Sequence, residues 1–309
     1  MRVFVAGATG VIGRRLVPAL LAAGHDVTAM CRGAESAERA RAAGAEIALA
    51  DALDADAVAD AVAHARPDAV VNQLTALPKR IDPRRIERDF EHNDRLRSEG
   101  SRILAGAARG AGVQRLVSQS IAFMYERGPD GVVHSEQDPL VLDPPASFAR
   151  SAGAVKTLEQ TTLEAGGTVL RYGYFYGPGS AIAPDGSIVS DLRRRRMPVV
   201  GSGAGVWSFV HVDDAAAATV LALDAAPGVY NVVDDEPAPV AQWLPALAKA
   251  AAAPRPMRVP AFLARLAAGE YGVTAMTRAQ GACNERAKRE LAWEPAHPSW
   301  REGFRAALA

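Results

Sequence analysis

The feature that most constrains this chain is a glycine turn between a strand and a helix at its start. The apolar residues 3–6 run into Gly7-Ala8-Thr9-Gly10-Val11-Ile12-Gly13, and helix-forming residues follow. Gly7 suits a tight turn, Gly10 leaves room for a phosphate, and Gly13 allows the helix to pack closely on the strand. The helix N-terminus adds free N–H groups and about half a positive charge. The turn therefore predicts a dinucleotide site whose contacts come from Gly7, Thr9, Gly10, Val11, Ile12 and Gly13.

Composition bounds the remaining possibilities. The 309 residues are 49% hydrophobic, enough to bury a large core, and 35 Lys and Arg balance 35 Asp and Glu. With no net charge to attract a polyanion, we expect a small-molecule substrate and no nucleic acid or membrane as partner, while a homodimer stays open. No signal peptide or long apolar run is evident, so we expect a cytoplasmic protein. Cys31 and Cys283 lie far apart, and no metal site is predicted.

Strands and helices alternate through the first half of the chain. Predicted strands lie near residues 2–6, 25–30, 45–49, 69–73, 114–119 and 168–172, and helices at 14–23, 34–43, 55–65, 94–111 and 148–164. This alternation predicts an α/β fold with a doubly wound parallel sheet, a Rossmann domain, whose ligand lies at the carboxyl ends of the strands. We place this domain at residues 1–172. Residues 173–309, with predicted helices near 241–252 and 259–269, would form a smaller α/β substrate lobe that returns some strands and helices to the main sheet.

Several short segments carry a family resemblance along nearly the whole chain. Beside the glycine turn, these segments are Leu170-Arg171-Tyr172, Tyr176-Gly177-Pro178-Gly179, Phe209-Val210-His211-Val212-Asp213-Asp214, Val229-Tyr230-Asn231-Val232 and Leu291-Ala292-Trp293-Glu294-Pro295. Together they resemble the extended short-chain dehydrogenases/reductases, which include NAD-dependent epimerases and dehydratases. The resemblance implies an NAD(P)-dependent oxidoreductase fold, in which His211 and the Asp213-Asp214 pair are scaffold.

Cofactor choice is read at the end of the second strand. An acidic residue there would hold the ribose hydroxyls of NAD, whereas arginine accommodates the 2′-phosphate of NADP. Arg32 occupies that end, and Arg14 follows the last glycine of the turn. We therefore predict NADP(H) in preference to NAD(H), the alternative being that both arginines are solvated. The resemblance further implies cofactor contacts from Asp51, Ala52, Leu74, Thr75, Ala76, Ser118 and Tyr172.

The catalytic segment departs from the family pattern, which pairs a Tyr-x-x-x-Lys helix with a hydroxyl residue after the fifth strand. Lys156 would require tyrosine at the position of Ala152. If Glu159 sets the register instead, the two positions become Ser151 and Val155. Because one residue turns a helix by about 100°, Lys156 either touches the nicotinamide ribose or is a solvated lysine.

Other groups could take over the missing roles. Ser120, or Ser118 beside it, would lie near the nicotinamide and polarise a substrate oxygen. Tyr174 and Tyr176 follow the sixth predicted strand and are the candidate proton donors, with Tyr125 as a third. The competing interpretation is that these tyrosines are apolar lining with satisfied hydroxyl groups. The predicted catalytic residues are thus Ser120, Lys156, Tyr174 and Tyr176.

The substrate class is narrowed by one replacement. Relatives that use sugar nucleotides carry an arginine where this chain has Trp207, and a large aromatic face favours a flat or apolar ligand. Phe123 and Tyr125 are predicted to join it in the substrate site. We therefore expect an atypical NADP(H)-dependent reductase acting on a carbonyl or conjugated group of a small apolar or polycyclic product of secondary metabolism. A non-redox isomerase, epimerase or cyclase that retains its nucleotide, and an NADP(H)-sensing binding protein, are the alternatives.

Overall fold

The computed structural model describes residues 1–128 and 132–308. Its strands are β1 Arg2–Ala6, β2 Asp26–Cys31, β3 Glu46–Leu49, β4 Ala69–Asn72, β5 Arg115–Ile121, β6 Val133–His134, β7 Thr168–Tyr172, β8 Tyr174–Tyr176, β9 Val199–Val200, β10 Val206–Trp207, β11 Phe209–His211, β12 Gly228–Val232, β13 Ala238–Pro239, β14 Arg258–Val259 and β15 Gly281–Ala282. Its α-helices are α1 Gly13–Ala22, α2 Ala34–Ala42, α3 Ala55–Ala65, α4 Ile86–Asp89, α5 Glu91–Arg95, α6 Ser101–Gly110, α7 Ala149–Glu164, α8 Ser187–Arg193, α9 Val212–Leu221, α10 Val240–Ala250, α11 Ala261–Thr277, α12 Glu285–Leu291 and α13 Trp300–Leu308.

The main sheet has seven strands in the order β12-β7-β5-β4-β1-β2-β3. All of these strands pair in parallel. Because the strand order reverses beside β1, the crevice at the carboxyl ends of β1 and β4 is the ligand site that such a topology provides. The predicted doubly wound Rossmann fold is confirmed. Its last strand, β12, comes from beyond residue 172.

Two of the clusters of buried side chains belong to the main sheet and to the second half of the chain. Under the main sheet, α1 contributes Leu16, Val17 and Leu20, the buried stripe of an amphipathic helix. The other cluster is aromatic, formed by residues beyond position 173, and includes Tyr176, Trp207, Phe209, Trp243, Trp300 and Phe304. Four short two-stranded sheets accompany this part of the chain.

The carboxylate of Asp214 ties the C-terminal segment to the Rossmann core. The carboxylate oxygens accept hydrogen bonds from the backbone N–H groups of Ala296 at 2.8 Å and His297 at 3.0 Å. The backbone oxygen of Asp214 accepts a hydrogen bond from the Trp293 indole at 3.1 Å. His211 stacks on His297 with ring centroids 3.8 Å apart. This arrangement gives the His211 and Asp214 segment a packing role.

Two helices differ from the sequence-based prediction. The predicted helix 94–111 is divided into α5, a π-helical turn at Leu96–Gly100, and α6. The helix predicted at 259–269 extends instead to Thr277 as α11, with a kink at Gly269, where φ is +67°. Periodicity alone did not show this continuation, because the bend at Gly269 interrupts the helical spacing and glycine readily adopts the positive φ that the bend requires.

No helix within residues 1–128 and 132–308 has the length and apolar content needed to cross a bilayer.

Candidate active site

The glycine turn after β1 forms a cradle of backbone. Gly7 has φ +90°, and a Cβ on it would lie 2.4 Å from the backbone oxygen of Gln73. A Cβ on Gly13 would lie 2.3 Å from the oxygen of Gly7, so α1 packs directly on the turn. The nearest atom to a Cβ on Gly10 is 3.3 Å away, again the Gly7 oxygen. Apart from this close contact and the two adjacent residues, no atom of the described residues lies within 4 Å of that Cβ position, so Gly10 leaves room on its other sides.

The N-terminus of α1 offers donors to that space. Gly10 N–H closes the turn on the Gly7 oxygen at 3.1 Å, while the N–H groups of Val11 and Ile12 donate to no backbone oxygen within the described part of the chain. Thr9 and Val11 are partly exposed, and Ile12 is buried in the core. Free N–H groups at a helix start, beside a glycine with room in front of it, fit a pyrophosphate. The residues present therefore fit a dinucleotide.

The predicted adenosine contacts lie at the ends of neighbouring strands. Arg32 directly follows β2 and is exposed, while the guanidinium of Arg14 lies beside Gly179 and its Nε donates to the Gly10 oxygen at 3.4 Å. Neither arginine forms an ion pair among residues 1–128 and 132–308. Asp51 and Ala52 follow β3, and the Asp51 carboxylate accepts the N–H of Leu53 at 3.0 Å.

The segment after β4 is held by two asparagines. Asn72 accepts the N–H of Leu74, and Asn93 accepts the N–H of Ala76, each at 3.1 Å. Thr75 lies between them and is partly exposed. These bonds fix the Leu74–Ala76 turn at the crevice beside β1.

Ser118 and Ser120 are buried by other side chains. Ser118 accepts a hydrogen bond from Thr162 at 2.8 Å. The Ser120 hydroxyl donates to Glu159 at 2.5 Å, and Glu159 forms a buried ion pair with Arg171 at 2.6 Å. Since Ser120 is only 1% exposed, its hydroxyl serves the Glu159 ion pair in this structure.

The helix α7 brings no tyrosine and lysine together. The Ser151 hydroxyl donates to Asp94 at 2.9 Å, Val155 lies in an apolar cluster with Ile121, and Ala152 is buried in the same cluster. The Lys156 ammonium donates to the backbone oxygen of Val141, in the segment that follows β6. Sequence reasoning left both registers open, and in either one the tyrosine position holds a residue with no phenol group.

Tyr125 and Tyr172 each have hydrogen-bond partners below the surface. The Tyr125 hydroxyl donates to Asn231 at 2.6 Å and accepts from Arg171 at 3.0 Å. Tyr172 shares a 2.6 Å bond with Thr219. Burial raises the pKa of each tyrosine to about 12, which makes them poor proton donors near neutral pH.

Three aromatic rings form a stacked row, which we call the aromatic wall: Phe123, Tyr174 and Trp207. The Tyr174 ring stacks on Phe123 at 4.3 Å and on Trp207 at 3.7 Å between centroids. The Trp207 indole donates to the Ala275 oxygen of α11 at 2.8 Å. Tyr174 and Phe123 are partly exposed. Because its neighbours cover both faces of Tyr174, the wall presents apolar ring edges, and burial raises the pKa of Tyr174 well above its usual value.

Tyr176 lies elsewhere. It has no exposed surface, and its ring meets Phe304 edge-on at 5.4 Å within the aromatic core. A Cβ on Gly303 would overlap the Tyr176 ring at 2.3 Å. Its side chain fills the core, so Tyr174 is the one of the two that faces the candidate site.

Sequence reasoning missed two residues near α7. Arg97, on the π-helical turn, is 4% exposed, and the Tyr271 ring of α11 packs at a tilt against Phe148, with centroids 4.8 Å apart. One signal was available for Arg97. It shares the spacing of the buried residues Ser101, Leu104 and Ala108, so a charged residue stands on the buried face of a helix.

Fold and glycine cradle together define a dinucleotide-binding protein of the Rossmann class. The family described as "NAD dependent epimerase/dehydratase family" matches residues 3–232, and the chain belongs to that family. Family members bind a nicotinamide cofactor, and this chain is an NAD(P)-dependent oxidoreductase.

Similar proteins include enzymes of several activities. A "3-diazoavenalumate denitrifying reductase" of a Streptomyces species is 48% identical over 98% of this chain and 99% of its own. A "4-hydroxy-2-methyl-3-oxo-4-farnesyl-3,4-dihydroquinoline-1-oxide ketoreductase" of Stigmatella aurantiaca is 28% identical over 79% of this chain and 71% of its own. The crystal structure of Thermus thermophilus UDP-glucose 4-epimerase with NAD is 27% identical, has a TM-score of 0.75, and matches 100% of this chain and 98% of that one.

Proposed function

We propose that this enzyme is an NADPH-dependent reductase of an aromatic diazo compound, in which hydride replaces the nitrogen group on the ring. The similarity to the denitrifying reductase extends over 98% of the chain at 48% identity, which supports a shared reaction class. This proposal narrows the conjugated substrate expected from Trp207 to an aryl diazonium ion. The apolar ring edges of the aromatic wall suit contact with such a ring, since edge-to-face packing is a favoured aromatic geometry.

One observation carries the proposal: α7 supplies no acid. Ser151 is engaged by Asp94, Val155 is apolar, and Lys156 donates to the Val141 oxygen. A carbonyl reductase must protonate the oxygen that receives charge, a step that a positioned acid accelerates by about 10²–10⁴-fold. A reaction that needs no proton removes the need for that acid.

Denitrifying reduction is such a reaction. The reduced nicotinamide, when bound, supplies a hydride, which is a proton with an electron pair. The ring C–N bond breaks and a C–H bond forms, so an aryl diazonium cation and one hydride become an arene and dinitrogen. Atoms and charge balance without an external proton. The aromatic wall would hold the ring in place and keep water, the competing nucleophile, from the reacting carbon.

A ketoreductase is the second candidate. The Stigmatella relative is named for that activity, and Tyr174, a partly exposed residue of the wall, carries a hydroxyl group. Its raised pKa makes it a weak donor at neutral pH. An isomerase that retains its nucleotide would turn over substrate without consuming NADPH, and a sensor would show no turnover.

Deuterium transfer separates these functions. With 4-carboxybenzenediazonium and NADPH deuterated at C4, we expect one NADPH consumed per dinitrogen released, with deuterium on the ring carbon of the benzoate. Tyr174→Phe should keep kcat within about threefold of wild type because no proton is transferred. Tyr174→Ala should raise KM because it removes the middle ring of the wall and the support that this ring gives to Phe123 and Trp207. Reactions without enzyme give the background rate.

Two other results would identify the ketoreductase. One is that the enzyme releases no dinitrogen from the diazonium ion but reduces an aryl ketone offered in its place, and the other is a loss of about 10²-fold or more in kcat for Tyr174→Phe. Conversion of substrate with no loss of NADPH would instead point to the isomerase.

We also propose which nicotinamide cofactor the enzyme uses and where in the cell it works. Arg32 supports NADP(H) because its exposed guanidinium, without an ion pair among the described residues, follows the strand that ends at the adenosine ribose. We also propose that the enzyme works in the cytoplasm, in secondary metabolism, with residues 1–172 binding the cofactor and residues 173–309 most of the substrate.

A further inference from the structure

A buried arginine stands beside α7 without a partner. Arg97 is 4% exposed, and within residues 1–128 and 132–308 it forms neither a hydrogen bond nor an ion pair. Taking a guanidinium out of water is unfavourable unless an anion or several acceptors replace the water. The position therefore suits an anionic group that residues 1–128 and 132–308 do not place within hydrogen-bond distance of Arg97.

The nearest acidic groups are already engaged. Asp94, three residues earlier, receives a hydrogen bond from Arg150 at 3.0 Å as well as the bond from Ser151. Its second oxygen, Oδ1, is buried without a hydrogen-bond partner. Glu159 is paired with Arg171. Since Asp94 neutralises one arginine, the group formed by Asp94, Arg150 and Arg97 carries one net positive charge.

Arg97 belongs to the same region as the aromatic wall. The π-helical turn that carries Arg97 packs against α7. Tyr271 lies one turn of α11 before Ala275, whose backbone oxygen accepts the indole N–H of Trp207 in the wall. Tyr271 also packs against the apolar cluster that contains Val155 and Ile121. Arg97 is thus close to the α7 surface where relatives carry their catalytic pair. Burial lowers the pKa of Arg97, although an arginine stays charged at neutral pH.

We propose that Arg97 binds the carboxylate of an aromatic acid whose ring lies on the aromatic wall. A guanidinium matches a carboxylate through two parallel hydrogen bonds, so it would both bind and orient the ligand. The inference rests on the proposed function for the reacting group and adds the class of substrate, an aryl carboxylate. Arg97 would act in binding, while hydride transfer takes place at the ring.

Binding of unreactive ligands tests this assignment without turnover. In calorimetry on protein saturated with NADP⁺, we expect cinnamate to bind about 10–100-fold more tightly than cinnamamide, because a charged hydrogen bond contributes about 1.5–3 kcal/mol. Arg97→Gln should remove this difference and leave the Kd for NADP⁺ within about twofold. Arg97→Lys should restore part of the preference, as a point charge without the planar fork. Circular dichroism confirms that each variant is folded.

Steady-state kinetics should show the same dependence on the carboxylate. Arg97→Gln should raise KM for 4-carboxybenzenediazonium by about 10–100-fold while KM for the methyl ester stays within about twofold. Equal effects on acid and ester, or equal binding of cinnamate and cinnamamide by wild type, would overturn the assignment. A weaker Kd for NADP⁺ in Arg97→Gln would place Arg97 at the cofactor instead and also overturn it. If neither diazonium salt is reduced but the cinnamate preference depends on Arg97, the proposed reaction fails and the carboxylate site stands.

Discussion

At the scale of single residues, the two arginines of the nucleotide site have different surroundings. Arg14 contacts the glycine turn and lies beside Gly179, so its guanidinium is close to the loop that follows β8. Arg32 makes no ion pair among the described residues and stands at the end of β2, where the adenosine ribose of a Rossmann ligand lies. Arg32 is therefore the residue on which NADP preference depends most.

Replacing Arg32 tests this preference. We expect Arg32→Ala to weaken NADPH binding by about 10–100-fold, because the charge-assisted bonds to the 2′-phosphate are lost, with NADH binding changed by less than about threefold. The measurement is nicotinamide fluorescence with each nucleotide. Arg39→Ala is the matched control, since Arg39 lies on the following helix, α2, and already pairs with Glu35. An equal loss for both nucleotides in Arg32→Ala would contradict the prediction.

At the scale of elements, the β1–α1 unit depends on backbone contact that side chains would prevent. The atoms around Gly13 are the main chain of Gly7 and Ala8, which cannot rotate away as a side chain can. By contrast, a Cβ on Gly106, in the middle of α6, would meet nothing within 4 Å. The two glycines are therefore expected to respond in opposite ways to the same substitution.

Alanine substitutions at these glycines make the comparison. Gly13→Ala should lower the free energy of unfolding by about 1–3 kcal/mol or more because of overpacking, and should weaken NADPH binding as α1 shifts. Gly106→Ala should raise the free energy of unfolding by about 0.5–1 kcal/mol, since alanine loses less backbone freedom than glycine when a helix forms. Urea unfolding of the three proteins measures both effects. Wild-type stability in Gly13→Ala would show that α1 is not held by this contact.

At the scale of the whole molecule, one buried polar network joins distant parts of the chain. The Glu159–Arg171 ion pair links α7 to β7, Ser120 joins it from β5, and Tyr125 extends it to Asn231 of β12. Both ionic side chains are 6% exposed. The network therefore connects the first half of the sheet to the strand supplied by the second half.

Removing one member of this network should lower the stability of the folded protein. We expect Glu159→Gln to lower the free energy of unfolding by about 3–5 kcal/mol, because Arg171 is left as a buried charge without its carboxylate. The double variant Glu159→Gln with Arg171→Met should lose less than the single variant, since no charge remains unpaired. Thermal and urea unfolding give the values. A larger loss in the double variant would mean that packing of Arg171, and not its charge, dominates.

Local patterns in the sequence determined most strands and helices of this protein and predicted its candidate nucleotide site. The glycine spacing and the alternation of strands and helices are periodic or adjacent features, and the energies that produce them act between near neighbours in the chain. The doubly wound sheet followed from them. Helix ends were less well predicted, because the π-helical turn and the kink at Gly269 depend on what the helices pack against.

Only the tertiary structure decided where the polar side chains point. The bond of Ser120 to Glu159 spans 39 positions, and Lys156 turns to a carbonyl 15 positions away. Asp94 pairs with Arg150, 56 positions further on, while Arg97 makes no ion pair among the residues that the structure describes. Such contacts depend on which faces of folded elements meet. Spacing along the chain predicts the face of a helix or strand, but the partner on the facing element is set by packing in three dimensions.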